Sequence, residues 1–120
     1  MIARLIALLF YSREVAHRDH LAAPTIAIHL ALEEFYNAIV EHADEITEAY
    51  QGRMKTVVRD IPIISMEVTG DSAAKLRKIM ESIEKIRYTA IPKEDSVLQN
   101  LVDDALKVFL TTLNKLDNYK

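Results

Sequence analysis

The chain has 120 residues, no cysteine and a formal net charge of −3 at pH 7. Without cysteine there is no disulfide, no thiolate metal site and no thiol nucleophile, and a reducing cytoplasm is the expected location. The slightly negative charge gives no reason to expect a nucleic-acid partner. Half of the residues are hydrophobic and only two are Gly, so we expect residues 1–120 to form a single helical domain and not a disordered chain.

The first element begins with the apolar run MIARLIALLFY. This run is too short to span a bilayer, and it continues into SREVAHRDH without a small-residue cleavage site. Its apolar residues recur at helical spacing, which predicts a first helix from about Ile2 to Arg18. We therefore expect neither a secretory signal nor a membrane partner.

A second helix is predicted from Pro24, a favoured first-turn residue, to about Tyr50, with Gly52 as its C-terminal breaker. This stretch contains six acidic residues and neither Lys nor Arg: Glu33, Glu34, Glu41, Asp44, Glu45 and Glu48. Carboxylates crowded together without counter-charges repel one another, and a bound cation is one way to relieve that repulsion.

Five metal-capable side chains follow a regular spacing in the first half of the chain. On the second helix, His29 and Glu33 lie one turn apart, as do Asp44 and Glu48, and all four fall within about 100° of one another around the axis. Imidazole and carboxylate together suit iron, manganese or zinc. With His17 on the first helix, the candidate metal ligands are His17, His29, Glu33, Asp44 and Glu48.

One metal site cannot hold both pairs within a single helix, because His29 and Asp44 are about 22 Å apart along the axis. The pairs meet if two copies of the second helix pack antiparallel in a two-fold dimer. We therefore predict a homodimer with two identical sites, each combining His29 and Glu33 of one chain with Asp44 and Glu48 of the other. A larger homo-oligomer is left open.

Two more helices are predicted after a link of about eighteen residues that is rich in β-branched residues and contains Pro62. The third helix begins at Asp71 or Ser72 and runs to about Tyr88, and the fourth begins at Asp95 or Ser96. Such a long link between helices two and three predicts a ferritin-like four-helix bundle with a long crossover. Residues 55–69 are also compatible with a strand that pairs with another subunit.

Residues 14–52 resemble the Dps-type mini-ferritins, on the run AHRDHLAAPTIAIHLALEEFYNAIVEHADEITEAYQGR. In that family a His on the first helix is followed, on the second, by His, an acid four residues later, Asp fifteen after the His and Glu four after that. The five candidate ligands match this spacing without a gap. The phrase HLALEEFYNAIVEHADEITEAYQGR also looks like small phage-encoded proteins of unassigned function, which would place the protein in a host cytoplasm.

The resemblance implies a ferroxidase centre between two subunits, at which ferrous iron is oxidised by peroxide or oxygen. The metal ligands are then the only catalytic residues, and no organic cofactor is implied. Arg18 stands where the family usually has Trp, Glu33 where it usually has Asp, and the chain is shorter than a typical mini-ferritin and has no Lys-rich tail. These departures count against the twelve-subunit shell, iron storage and DNA binding of that family, and they count less against a dimer with metal sites.

Three other interpretations stay open. In the first, His17 and His29 have ordinary packing roles, and the acidic residues of the second helix form a solvated helix face. A non-catalytic phage or prophage assembly protein that keeps the ferritin-like fold is the main alternative function. A module that binds a cationic small molecule in an acidic cleft between subunits is the third. His20 and His42 lie outside the motif and are assigned packing or surface roles, with His20 a candidate neighbour of the ligands.

Overall fold

Four helices make up most of the chain in a computed structural model that describes residues 1–119. They are α1 (Ile2–Leu21), α2 (Ile26–Met54), α3 (Ser72–Ala90) and α4 (Ser96–Asn118). No strand occurs within the described range, so the prediction of an all-α fold is confirmed. None of these helices combines the length and hydropathy needed to cross a membrane.

Side-chain caps start three of the helices. The carboxylates of Asp71 and Asp95 accept hydrogen bonds from the backbone N–H groups of Ala74 at 2.9 Å and Leu98 at 3.2 Å, so the predicted starts of α3 and α4 are confirmed. The prediction for α2 was wrong by two residues. Its cap is Thr25, whose hydroxyl accepts from Ile28 N–H at 3.2 Å, and Pro24 lies outside the helix.

Helix ends were predicted less well. Helix α1 continues past Arg18 to Leu21, and α2 continues through Gly52 to Met54. The residue that ends α2 is Lys55, which adopts the left-handed conformation with φ of 55°. A glycine was expected to take this role because it lacks the Cβ that makes positive φ costly.

The core draws apolar side chains from all four helices. Helix α1 packs against α2 and α3, and α4 packs against the same two helices. At the centre, the rings of Phe35 and Phe109 meet edge to face with centroids 4.9 Å apart, and both side chains are fully buried. Burying a large aromatic side chain contributes about 2–3 kcal/mol, so this contact is a main link between α2 and α4.

Charged contacts at the helix ends define which ends lie together. Lys75 near the start of α3 contacts Asp19 near the end of α1 at 3.1 Å, and Lys115 near the end of α4 pairs with Glu34 near the start of α2. At the opposite end of the molecule, Arg53 of α2 contacts the α4 cap residue at 2.9 Å. These contacts hold neighbouring helices antiparallel.

The connection between α2 and α3 contains neither helix nor strand. It lies along α1, where the Tyr11 hydroxyl donates a hydrogen bond of 2.9 Å to the Met66 carbonyl. Three of its side chains pack against the core: Ile64, Met66 and Val68.

Candidate metal site

The last turns of α1 and the first turns of α2 bring three histidines together. A short turn joins the two helices, so residues close to it on either side face each other. Helix α1 contributes His17 and His20, which lie on one face three residues apart. Helix α2 contributes His29, Glu33 and Tyr36, which share a face at helical spacing.

Two of these histidines hold each other by reciprocal hydrogen bonds. The rings of His20 and His29 stack with centroids 3.9 Å apart. The Nδ1 atom of His20 lies 3.2 Å from the His29 backbone oxygen, and the Nδ1 atom of His29 lies 3.0 Å from the His20 backbone oxygen. Because a carbonyl oxygen only accepts, both Nδ1 atoms must carry the proton. In the neutral form of each ring, the remaining lone pair then lies on Nε2.

This arrangement resembles that of histidines that bind metals. A metal-binding imidazole usually donates its second N–H to a carbonyl or carboxylate, which fixes the tautomer and the ring orientation. In this structure both rings already have that orientation within a single chain. The His20 side chain is buried, at 8% relative exposure, so its position is also fixed by packing.

Glu33 completes a group of three metal-capable side chains. His20, His29 and Glu33 each offer one ligand atom, and these atoms all lie within 4.8 Å of one another. Within residues 1–119 no other group of three metal-capable side chains comes this close. Two imidazoles and one carboxylate form the ligand set of many non-haem ferrous and zinc sites, so these residues fit a divalent transition metal.

His17, a ligand predicted from the sequence, lies beside this group and not within it. Its ring stacks on Tyr36 with centroids 4.5 Å apart, while His20 meets the same tyrosine edge to face at 5.2 Å. The guanidinium of Arg13 lies 6.0 Å from the centre of the Tyr36 ring. Within one chain, His17 therefore packs against Tyr36, the aromatic ring that also contacts His20.

The other two predicted ligands lie further along α2. Asp44 and Glu48 are both exposed, and neither forms an ion pair with any residue in the described range. A single chain therefore brings together His29 and Glu33 of the predicted set and adds His20. Asp44 and Glu48 can join this group only from a second copy.

Basic side chains lie on the outer side of α1, close to the site. Arg18 donates a hydrogen bond of 2.9 Å to Glu14. This bond, together with the positive charges of Arg18 and Arg13, lowers the pKa of Glu14 below its usual value. The Glu14 carboxylate thus stays ionised, and it is paired with Arg13 and Arg18.

Sequence reasoning assigned His20 only a neighbouring role, although a local signal for it exists. His20 and His29 lie at similar distances from the turn at residues 22–25, and two antiparallel helices joined by a tight turn place such residues opposite each other. His17 was predicted because it matches the first-helix His of the mini-ferritins, and spacing along α2 does not distinguish His17 from His20.

The chain belongs to a protein family whose model matches residues 20–116 and is described as a family of unknown function (DUF5856). The matched range includes His20, His29 and Glu33 together with Asp44 and Glu48, and it starts after His17. No curated protein and no solved structure matched the chain.

Proposed function

We propose that this protein is a Dps-like iron-binding protein that oxidises ferrous iron at a ferroxidase-type site. One observation carries the proposal: His20, His29 and Glu33 each present a metal-capable atom within 4.8 Å of the others, and reciprocal hydrogen bonds to backbone oxygens fix both imidazole rings. Ferrous iron is the substrate, and manganese or zinc can occupy the same ligands.

The ligand chemistry favours the oxidised product. Each ferrous ion gives one electron to dissolved peroxide or oxygen and becomes ferric. Anionic carboxylates stabilise the greater charge of the ferric ion more strongly than that of the ferrous ion. Glu33 supplies one negative charge within the chain, while neutral imidazoles from His20 and His29 fix the geometry.

A second copy supplies the remaining carboxylates in this proposal. If two α2 helices pack antiparallel so that His29 faces Glu48, then Glu33 faces Asp44, and the site gains two acids. Two apolar residues on the exposed side of α2 support such packing, since Ile26 is 73% exposed and Leu30 is 51% exposed. The contact would bury this apolar area and pair the acids with bound iron.

The helix ends support a ferritin-like bundle for the same proposal. Contacts between Lys75 and Asp19 place the start of α3 beside the end of α1, which is also where α2 begins. Contacts of Arg53 place the end of α2 at the other end of the molecule. The link from α2 to α3 then has to return along the bundle, as the long crossover of ferritin-like folds does.

The test is iron uptake and oxidation by protein purified without chelator. We expect one or two iron atoms per chain and faster oxidation of ferrous iron under air than in buffer alone. The His29→Ala/Glu33→Ala variant should lose both while remaining helical by circular dichroism. The matched control is His42→Ala/Glu45→Ala, which removes a His and an acid from the same helix outside the group. Equal uptake by the two double variants would overturn the proposal.

A non-catalytic assembly protein, of the kind found in phages and prophages, is the second candidate. It is favoured by the fact that a single chain gathers only two of the five predicted ligands, with His20 as a third. In that case the wild type and both double variants would show the same oligomeric mass, and none would accelerate iron oxidation.

A further inference from the structure

The last turn of α1 is held from two sides. His20 contacts α2 through its ring and its backbone oxygen, and Asp19, about 100° away around the helix axis, contacts α3. The Asp19 carboxylate accepts hydrogen bonds from the Ser72 hydroxyl at 2.8 Å and from the Lys75 ammonium at 3.1 and 3.3 Å. Among the residues that the structure describes, no other side chain of this turn is hydrogen-bonded to α3. The residue that joins α1 to α3 therefore directly precedes a candidate metal-binding histidine.

Apolar packing does not hold the turn that follows. None of residues 21–25 is buried. A cavity of about 250 Å³ lies between the turn at residues 22–24 and the start of α3 at residues 70–73. The position of the last turn of α1 relative to α3 therefore depends on the polar contacts of Asp19.

The charge of Asp19 favours the contact between the two helices and not α1 itself. A carboxylate is unfavourable near the C-terminus of a helix and favourable near an N-terminus. Asp19 lies in the last turn of α1, whereas its partners Ser72 and Lys75 lie at the start of α3. The Asp19 and Lys75 side chains are only 21% and 26% exposed, so solvent and salt screen this ion pair less than a fully exposed one.

We propose that Asp19 is a positioning residue for the metal site. By holding the last turn of α1 against α3, its contacts with Ser72 and Lys75 keep the His20 ring opposite His29. This inference rests on the proposed metal binding. It gives α3, which contributes no side chain to the group of three, an influence on metal affinity. Because such coupling is reciprocal, bound metal should also stabilise the first turn of α3.

The Lys75→Ala variant separates positioning from simple electrostatics. Removing a positive charge near a cation site would by itself tighten metal binding. Loss of the contact with Asp19 should instead weaken zinc binding about tenfold, the lower end of the effect of groups that orient a metal-binding histidine. The matched control is Arg77→Ala, which breaks an ion pair of α3 with Asp117 of α4 and should not weaken zinc binding. A Lys75→Ala variant that binds zinc as tightly as this control would overturn the proposal.

Metal-free protein gives a readout that does not depend on the proposed function. The stacked rings of His20 and His29 should show nuclear Overhauser effects between their protons in the wild type and in Arg77→Ala. These effects should weaken in Lys75→Ala, and unchanged effects would overturn the positioning role. A wild-type chain that binds no zinc would overturn the proposed metal site, and the ring contacts alone would then decide whether Asp19 positions His20.

A double-variant comparison tests whether Asp19 acts through His20. Asp19→Ala should weaken zinc binding about as much as Lys75→Ala, but it should have little further effect in the His20→Ala background, where no ring is left to position. Asp19→Lys/Lys75→Asp should recover most of the wild-type affinity, because it restores the ion pair and both charges suit their helix ends. Independent, multiplicative losses of affinity for Asp19→Ala and His20→Ala would overturn the proposal.

Discussion

The imidazole of His20 lies opposite His29 because α1 remains helical through Leu21. Had α1 ended at Arg18, as the sequence pattern predicted, His20 would belong to the turn. Spacing on α2 correctly brought His29 and Glu33 to one face, because helical geometry fixes that relation. The choice between His17 and His20 depends on how two helices rotate against each other around a turn, which residue spacing does not encode.

A pair of single variants tests the role of these two histidines. His20→Ala should lower the affinity for zinc at pH 7 by at least roughly tenfold, because it removes a ligand as well as a hydrogen bond to the His29 carbonyl. His17→Ala should leave the affinity of a single chain nearly unchanged, since its ring contacts Tyr36. Competition with a coloured chelator measures both. A larger loss for His17→Ala would assign the ligand role to that residue.

At the scale of elements, apolar periodicity and local caps predicted the four helices and the starts of α3 and α4. The end of α2 was not predictable from Gly52, because side-chain contacts beyond it prolong the helix. The side-chain oxygen of Gln51 accepts a hydrogen bond of 2.9 Å from Val58 N–H. Its backbone oxygen accepts bonds from the N–H groups of Lys55 and Thr56. Together these bonds hold the last turn in place.

Two glycine substitutions should therefore have opposite effects on stability. Gly52→Ala should stabilise the protein by about 0.5–1 kcal/mol, because the helix continues through this position and an added Cβ meets nothing within 4 Å. Gly70→Ala should destabilise it, because φ is +97° there and the new Cβ would lie 3.0 Å from the Ala74 Cβ. Urea unfolding measures both. Destabilisation by Gly52→Ala would mean that α2 ends where the sequence suggested.

At the scale of the whole molecule, the proposed contact between two α2 helices predicts a link between metal binding and assembly. Two antiparallel copies of α2 would bring acids together without basic partners, which opposes dimer formation in the absence of a cation. A metal bound between the copies removes that repulsion. Because it then binds the dimer better than the monomer, it must also shift the equilibrium toward the dimer.

This linkage predicts that zinc or ferrous iron, the latter under anaerobic conditions, increases the fraction of dimer in sedimentation experiments. Asp44→Ala/Glu48→Ala should abolish the increase, yet leave metal binding at His20, His29 and Glu33, because those ligands lie in one chain. If metal still drives dimer formation after both acids are removed, the two α2 helices do not share the site. If the double variant binds no metal at all, the three grouped residues are insufficient on their own.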